Sequence, residues 1–271
     1  MKYYDLKFIQ NESLKILDVF DGLCKEHGIN YSLSAGTLLG AIRHHGFIPW
    51  DDDIDVMMTR EEYNKLLKID NKDYPDGFFL QTYKTDRKYL NGFAKLINKK
   101  VPAFIKETEH MDIVHGLDID IFPMDRCPER YICSIFDLFK LSLCSAAKYS
   151  VLDQSCNSIL KKISRSFFSA VVRYTGTYRI NVFEEKIKTK YNSKKYNASF
   201  MSYDSKPPYK WRATDIIPYS IFDEYVYLDF EGKKYEAIKN YELYLTLTYG
   251  DYMQLPPEEK RIPMHNFYYY E

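Results

Sequence analysis

The spacing of apolar residues divides the chain into alternating helical and extended stretches. Between residues 13 and 27, Leu14, Leu17, Val19, Phe20 and Leu23 recur at helical intervals, and Gly28 stands where a left-handed cap ends a helix. Residues 31–34 read as a short strand and 36–43 as a turn opening a second helix, which His44-His45-Gly46 breaks. The run from Ile54 to Met58 is apolar at most positions, as a buried strand is. Thr59 and Glu62 then form a capping box for a helix over 60–69. Strands are expected over 78–84, 93–98 and 117–122, a hairpin over 227–235 turning at Glu231-Gly232, and a helix over 238–249. Strands interleaved with helices predict an α/β (α+β) fold, a mixed sheet flanked by helices.

Residues 128–200 break this rhythm and are expected to form a helical, basic insertion within a single domain spanning 1–271. Their first part, 131–151, is strongly apolar, but Asp137, Lys140 and Lys148 make it a poor membrane span. From 130 to 195, thirteen Lys and Arg stand against Asp137, Asp153, Glu184 and Glu185, in a chain whose net charge is zero. Two readings fit this excess equally. One is a solvated helical layer whose charges balance acids elsewhere. The other is a peripheral contact with anionic lipid.

Composition adds exclusions. Zero net charge does not suit a bulk nucleic-acid binder, so no nucleic-acid partner is expected. The N-terminus lacks an apolar signal core, so a cytoplasmic location is expected, at the inner face of the membrane if lipid is contacted. The five Cys are odd in number and form no C-x-x-C pair, which favours buried free thiols. The 26 Tyr fit ordinary core packing as well as ligand contact.

The chemistry concentrates in acids. In Pro49-Trp50-Asp51-Asp52-Asp53-Ile54-Asp55, residues two apart share one side of an extended chain, so Asp53 and Asp55 project together. Such a carboxylate pair suits Mg²⁺ or Mn²⁺ bridging to substrate phosphates. Asp118 and Asp120 alternate with Leu117, Ile119 and Ile121, so they share one face of another strand. One of the two is expected to complete a triad, as a metal ligand or as a general base. Gly36-Thr37, at a helix start, offers backbone amides to a phosphate. Arg43 reads equally as a phosphate clamp and as a surface cap. His44, His45, Arg261 and His265 are given no catalytic role, and the tail 268–270 is expected to be partly disordered.

A glycine at a helix start, D-x-D on a strand and a third acid on a later strand, in this order, resemble the nucleotidyltransferase superfamily. More narrowly the chain resembles the LicD family, which includes bacterial phosphocholine transferases and is related to fukutin and fukutin-related protein. Three blocks carry the likeness: Ser34 to Val56, Gly116 to Asp125, and Tyr249 to Pro257. The resemblance implies a nucleotidyltransferase-like fold. It also implies transfer of a phospho-alcohol, such as phosphocholine or a polyol phosphate, from a CDP-linked donor to a glycan hydroxyl, releasing CMP. The acceptor would be a cell-surface glycan precursor, lipid-linked if the basic region meets membrane.

On this likeness Asp53, Asp55 and Asp120 are the metal ligands and catalytic acids, with Asp118 as the other candidate for the third. Gly36, Thr37, Arg43 and Lys95 are the substrate-binding candidates, Lys95 toward the diphosphate. Ala35 departs from the glycine that relatives often have. Two other readings remain: a nucleotidyltransferase that releases pyrophosphate, and a non-catalytic scaffold.

Overall fold

The computed structural model describes residues 1–128, 131–152, 159–194, 196, 198–200 and 216–270. Five strands form the central path in the order β2 (Ser32–Leu33), β3 (Asp55–Thr59), β6 (Leu117–Cys127), β5 (Ala94–Asn98) and β4 (Phe78–Gln81). Only β3 and β6 run parallel; the other neighbours are antiparallel. The far end of β6 pairs with β7 (Ala198–Phe200), which pairs with β8 (Ile216–Pro218). The fold is thus α/β with a mixed sheet, as the sequence pattern predicts.

Helix α1 (Leu6–His27) packs across this sheet with Ile9, Ile16, Leu17, Phe20 and Leu23 buried. It begins seven residues before the periodic run that announces it, because Asp5 caps it by accepting the Lys7 N–H at 2.9 Å. Gly28 ends it at φ 59, the left-handed cap that a glycine adopts without strain. Helix α3 (Arg60–Leu66) stops short of residue 69. Thr59 caps it as expected, but Glu62 does not close the box; its carboxylate accepts the Asn30 N–H at 3.1 Å.

The hairpin of β9 (Tyr225–Phe230) and β10 (Lys233–Ile238) turns at Glu231 and Gly232, both at positive φ. Helix α7 (Tyr241–Tyr249) follows, starting later than expected because β10 runs on to Ile238. The tail is ordered, contrary to expectation. Tyr268 and Tyr269 form β11, which pairs with β1 (Lys2–Tyr3), and Phe104 bridges to Tyr268.

The described residues of 131–194 include three helices, α4 (Tyr131–Tyr149), α5 (Ile159–Thr175) and α6 (Thr177–Lys188). Their cations are not simply a basic surface. Lys148 and Lys188 are buried against Glu184, while Lys140 and Lys190 pair with Asp137. Arg165 donates to the Ser150 carbonyl at 2.9 Å and to that of Leu152. Arg130, Lys161 and Lys195 lie outside the described side chains. No described helix is long and apolar enough to cross a membrane. Cys24, Cys127 and Cys144 are buried and free, in keeping with the reading from their spacing.

Candidate active site

The parallel pairing of β3 with β6 sets Asp55 directly beside Asp120, and the antiparallel pairing of β5 sets Lys95 beside Asp120 from the other side. Side chains at opposed positions share a sheet face, so two carboxylates and an ammonium meet there without help from any loop. Asp118, two residues earlier on β6, shares that face. Lys95 Nζ lies 2.7 Å from Asp118 Oδ1 and 2.9 Å from Asp120 Oδ1.

Asp51, Asp52 and Asp53 precede β3 instead of belonging to it, so the D-x-D pair is half strand and half approach segment. Asp53 nevertheless lines the same cleft as Asp51, Asp55, Asp118 and Asp120, a space of about 1340 Å³. Helix α2 (Ala35–His44) enters the cleft at its N-terminus through Ala35 and Gly36. A Cβ on Gly36 would sit 2.6 Å from Asp51 Oδ2, so the missing side chain is what admits this carboxylate to the helix start. Ala35 holds φ 42, a conformation that costs a residue with a Cβ about 1–2 kcal/mol.

Thr37 does not face the cleft. Its buried hydroxyl accepts the Asp55 N–H at 2.8 Å and so anchors the first residue of β3 to α2. Arg43 reaches the cleft, but its guanidinium donates to the Tyr252 carbonyl at 2.8 Å. It thereby ties the Tyr249–Pro257 block against α2, and Tyr249, Tyr252, Pro256 and Pro257 line the cleft.

His265, a basic residue to which the sequence assigns no catalytic role, is brought to the acids by the structure. Its backbone N–H donates to Asp52 Oδ2 at 2.7 Å, and its ring Nδ1 lies 3.1 Å from Asp52 Oδ1. Asp52 is only 1% exposed and turns from the cleft toward this histidine. Asp52, Asp53 and His265 present ligand atoms within 4.8 Å of one another. A lone histidine 213 residues from its partner leaves no signal in sequence spacing.

Burial leads the electrostatics of these acids, and neighbouring carboxylates add to it. Burial, then Asp53 and Asp52, push the Asp51 carboxyl up to about 8. Asp55 is pushed well above the usual carboxylate range by burial and by Asp53 and Asp120. Burial also raises Asp120, to about 6, although Lys95 pulls the other way. Burial opposes the charge on Lys95, yet Asp118 and Asp120 more than offset it and hold the ammonium protonated. Asp120 Oδ1 is buried and meets the Lys95 ammonium at 2.9 Å.

Several hard oxygen donors lining one cleft, with carboxyls that resist ionisation together, fit a divalent cation such as Mg²⁺ or Mn²⁺. Asp53, Asp55 and Asp120 are the residues that would hold it, with Asp51 beside them. Asp118 is engaged by Lys95.

The helical stretch 131–194 also builds this site. Tyr149 and Leu152, at the end of α4, line the cleft, and the Tyr149 hydroxyl donates to Asn91 Oδ1 at 2.9 Å. Asn181 of α6 donates to the Tyr89 carbonyl at 3.0 Å, fixing the loop that carries Tyr89, Leu90 and Asn91 into the wall.

The family model described as LicD/FKTN/FKRP, nucleotidyltransferase domain, matches residues 28–129, which hold Gly36, the Asp51–Asp55 cluster, Lys95, Asp118 and Asp120. Lipopolysaccharide cholinephosphotransferase LicD of Haemophilus influenzae is 31% identical over 275 residues, spanning 98% of this chain and 97% of that protein. An uncharacterized protein of Rickettsia prowazekii is 45% identical over 47 residues, 17% of this chain and 18% of its own. The likeness to the Haemophilus protein runs through the helical stretch as well as the acidic cleft, and on it this chain belongs to the LicD family.

Proposed function

We propose that this protein is a metal-dependent transferase that moves a phospho-alcohol, phosphocholine first among the candidates, from a CDP-linked donor to a hydroxyl of a cell-surface glycan precursor. The observation that carries the reading is the strand register that sets Asp55 beside Asp120 in a cleft shared with Asp53 and the N-terminus of α2. Choline is favoured because the full-length Haemophilus relative is a lipopolysaccharide cholinephosphotransferase.

In this reading the acceptor hydroxyl oxygen bonds to the phosphorus that carries the alcohol. The bond from that phosphorus to the bridging oxygen breaks, CMP departs with the electron pair, and the hydroxyl proton passes to a carboxylate of the cluster. A bound Mg²⁺ or Mn²⁺ would withdraw charge from the phosphoryl oxygens and from the departing CMP. Lys95, held between Asp118 and Asp120, faces the diphosphate as a fixed cation. The amides at Ala35 and Gly36 offer the positive end of α2 to its negative charge. Tyr249 and the Arg43-tied block close one side of the cleft.

The test is incubation with a panel of CDP-alcohols, Mg²⁺ and a glycan acceptor, with CMP scored by mass spectrometry. Acceptor-dependent CMP release, lost in Asp53→Asn, supports the reading. Pyrophosphate release from a nucleoside triphosphate would replace it with nucleotidyl transfer. Failure to bind Mg²⁺ and CDP-linked ligands by calorimetry would replace it with a non-catalytic scaffold.

A further inference from the structure

Helix α4 is inside out. Its buried side carries Asp137, Ser145 and Lys148 among Leu138, Leu141 and Cys144. Its exposed side carries Ile135, Phe136, Phe139, Leu143, Ala146 and Tyr149, at steps that keep all six on one helical face. Phe136 is 77% exposed and Phe139 54%, values opposite to those a water-facing helix gives to its aromatic residues. From Phe136 to Tyr149 the stripe runs about 20 Å along the helix at 1.5 Å per residue, and it ends at the wall of the cleft.

Helix α5 packs beside α4 and repeats the pattern. Ile163, Phe167 and Tyr174 are 63%, 65% and 90% exposed. The cations of these helices are placed differently from their acids. Lys140, Lys162 and Arg173 are exposed beside the apolar residues. The acids among the described residues of 131–194 are Asp137, Glu184 and Glu185, and none of them is exposed. The outer surface therefore combines aromatic side chains with positive charge and shows no exposed acid among the described residues.

We infer that the exposed faces of α4 and α5 dock on an anionic lipid bilayer, with Phe136, Phe139 and Phe167 entering the acyl boundary and Lys162 and Arg173 meeting headgroup phosphates. Aromatic residues on one face with Lys and Arg at its border are the composition of helices that lie in the membrane interface. No described helix spans the bilayer, so the attachment is peripheral. Because the α4 stripe ends at Tyr149, docking also brings the cleft mouth toward the surface from which a lipid-linked acceptor would be presented. Docking itself does not depend on whether the cleft transfers phosphocholine; only the presentation of an acceptor to the cleft rests on that function.

The experiment is co-sedimentation of the full chain with phosphatidylcholine vesicles, with and without phosphatidylglycerol. The expected result is partitioning that rises with phosphatidylglycerol. Phe136→Ser/Phe139→Ser is expected to lower it about tenfold or more on anionic vesicles. Lys162→Glu/Arg173→Glu should abolish the dependence on phosphatidylglycerol. Both variants alter exposed residues outside the cleft, so their circular dichroism and their Mg²⁺ binding should match the unaltered protein. Binding that ignores vesicle charge and survives both variants would overturn the inference. So would a concentration-dependent dimer by light scattering that Phe136→Ser/Phe139→Ser dissolves, since a second copy would then cover the stripe.

Discussion

Two clusters of buried charge lie on either side of the loop that carries Tyr89 and Asn91, and they are built on opposite principles. In the helical cluster, Glu184 sits between Lys148 and Lys188, with Asn181 completing the contacts to Lys148. Burial disfavours the Glu184 carboxylate, yet Lys188 and Lys148 hold it down to about 2. In the cleft, Asp51, Asp53, Asp55, Asp118 and Asp120 line one space with Lys95, which is paired to Asp118 and Asp120, and Asp51, Asp53, Asp55 and Asp120 are raised. In the first cluster every charged group has an oppositely charged partner, and the cluster fills the space between helices; the second holds more acids than cations and lines a cavity. Buried charge by itself therefore does not mark a functional site. Charge that the protein leaves unbalanced, facing a space large enough for a ligand, does.

If that contrast holds, the two clusters must fail differently. Glu184→Gln strands two buried ammonium groups and is expected to lower stability in urea by about 3–5 kcal/mol, with activity per folded molecule little changed. Asp55→Asn should do the reverse. CMP release is expected to fall about a hundred- to a thousandfold, while metal-free thermal stability holds or rises because a repelling carboxylate is gone. Equal losses of stability from both substitutions would break the comparison.

The pH response sharpens it. The Asp51 carboxyl is raised from 3.8 to about 8, so the folded metal-free protein keeps a proton that the unfolded chain releases. The stability tied to that proton is present at low pH and is lost as pH rises through about 8. A cation competes with the same proton, as it does at Asp120, raised to about 6. The rise in melting temperature on adding Mg²⁺ is thus expected to grow from about pH 6 to about pH 8. Glu184 has the opposite sign: its contribution is full above 4.5 and is lost only as pH falls toward about 2. Thermal scans across pH, with and without Mg²⁺, separate the two.

Smaller effects test how the cleft is held. Thr37→Val keeps the shape but removes the acceptor for the Asp55 N–H, at a cost of about 1–3 kcal/mol, since a buried N–H is then unsatisfied. The accompanying loss of CMP release should be smaller than for Asp55→Asn. Ala35→Gly relieves the positive φ at the helix start and is expected to change stability by less than about 1 kcal/mol, in the stabilising direction. Denaturant midpoints measure both.

Much of this molecule is legible locally. Gly28, the Glu231-Gly232 turn, the Thr59 cap and the alternation at Asp118 and Asp120 each depend on residues within a few positions, and each occurs where the pattern puts it. The limits of elements are less legible. Strand β6 runs on to Cys127 because its far end finds β7, and the tail is ordered because Tyr268 and Tyr269 meet β1, partners distant in sequence. The polarity of α4 hides from periodicity too. Its apolar and charged positions both recur at helical spacing, and only packing reveals that the charged side faces inward.

The sequence by itself determined the class of fold, the acidic residues and the order in which they occur, because helical and strand periodicity and the D-x-D spacing are local properties. Tertiary structure alone decided which acid faces which. It set Asp120 beside Asp55, put Lys95 between Asp118 and Asp120, turned Asp52 to His265 and gave the Thr37 hydroxyl to Asp55. The reason is physical: pairings across strands and over 213 residues are fixed by register and by burial of the common core. No spacing along the chain records them.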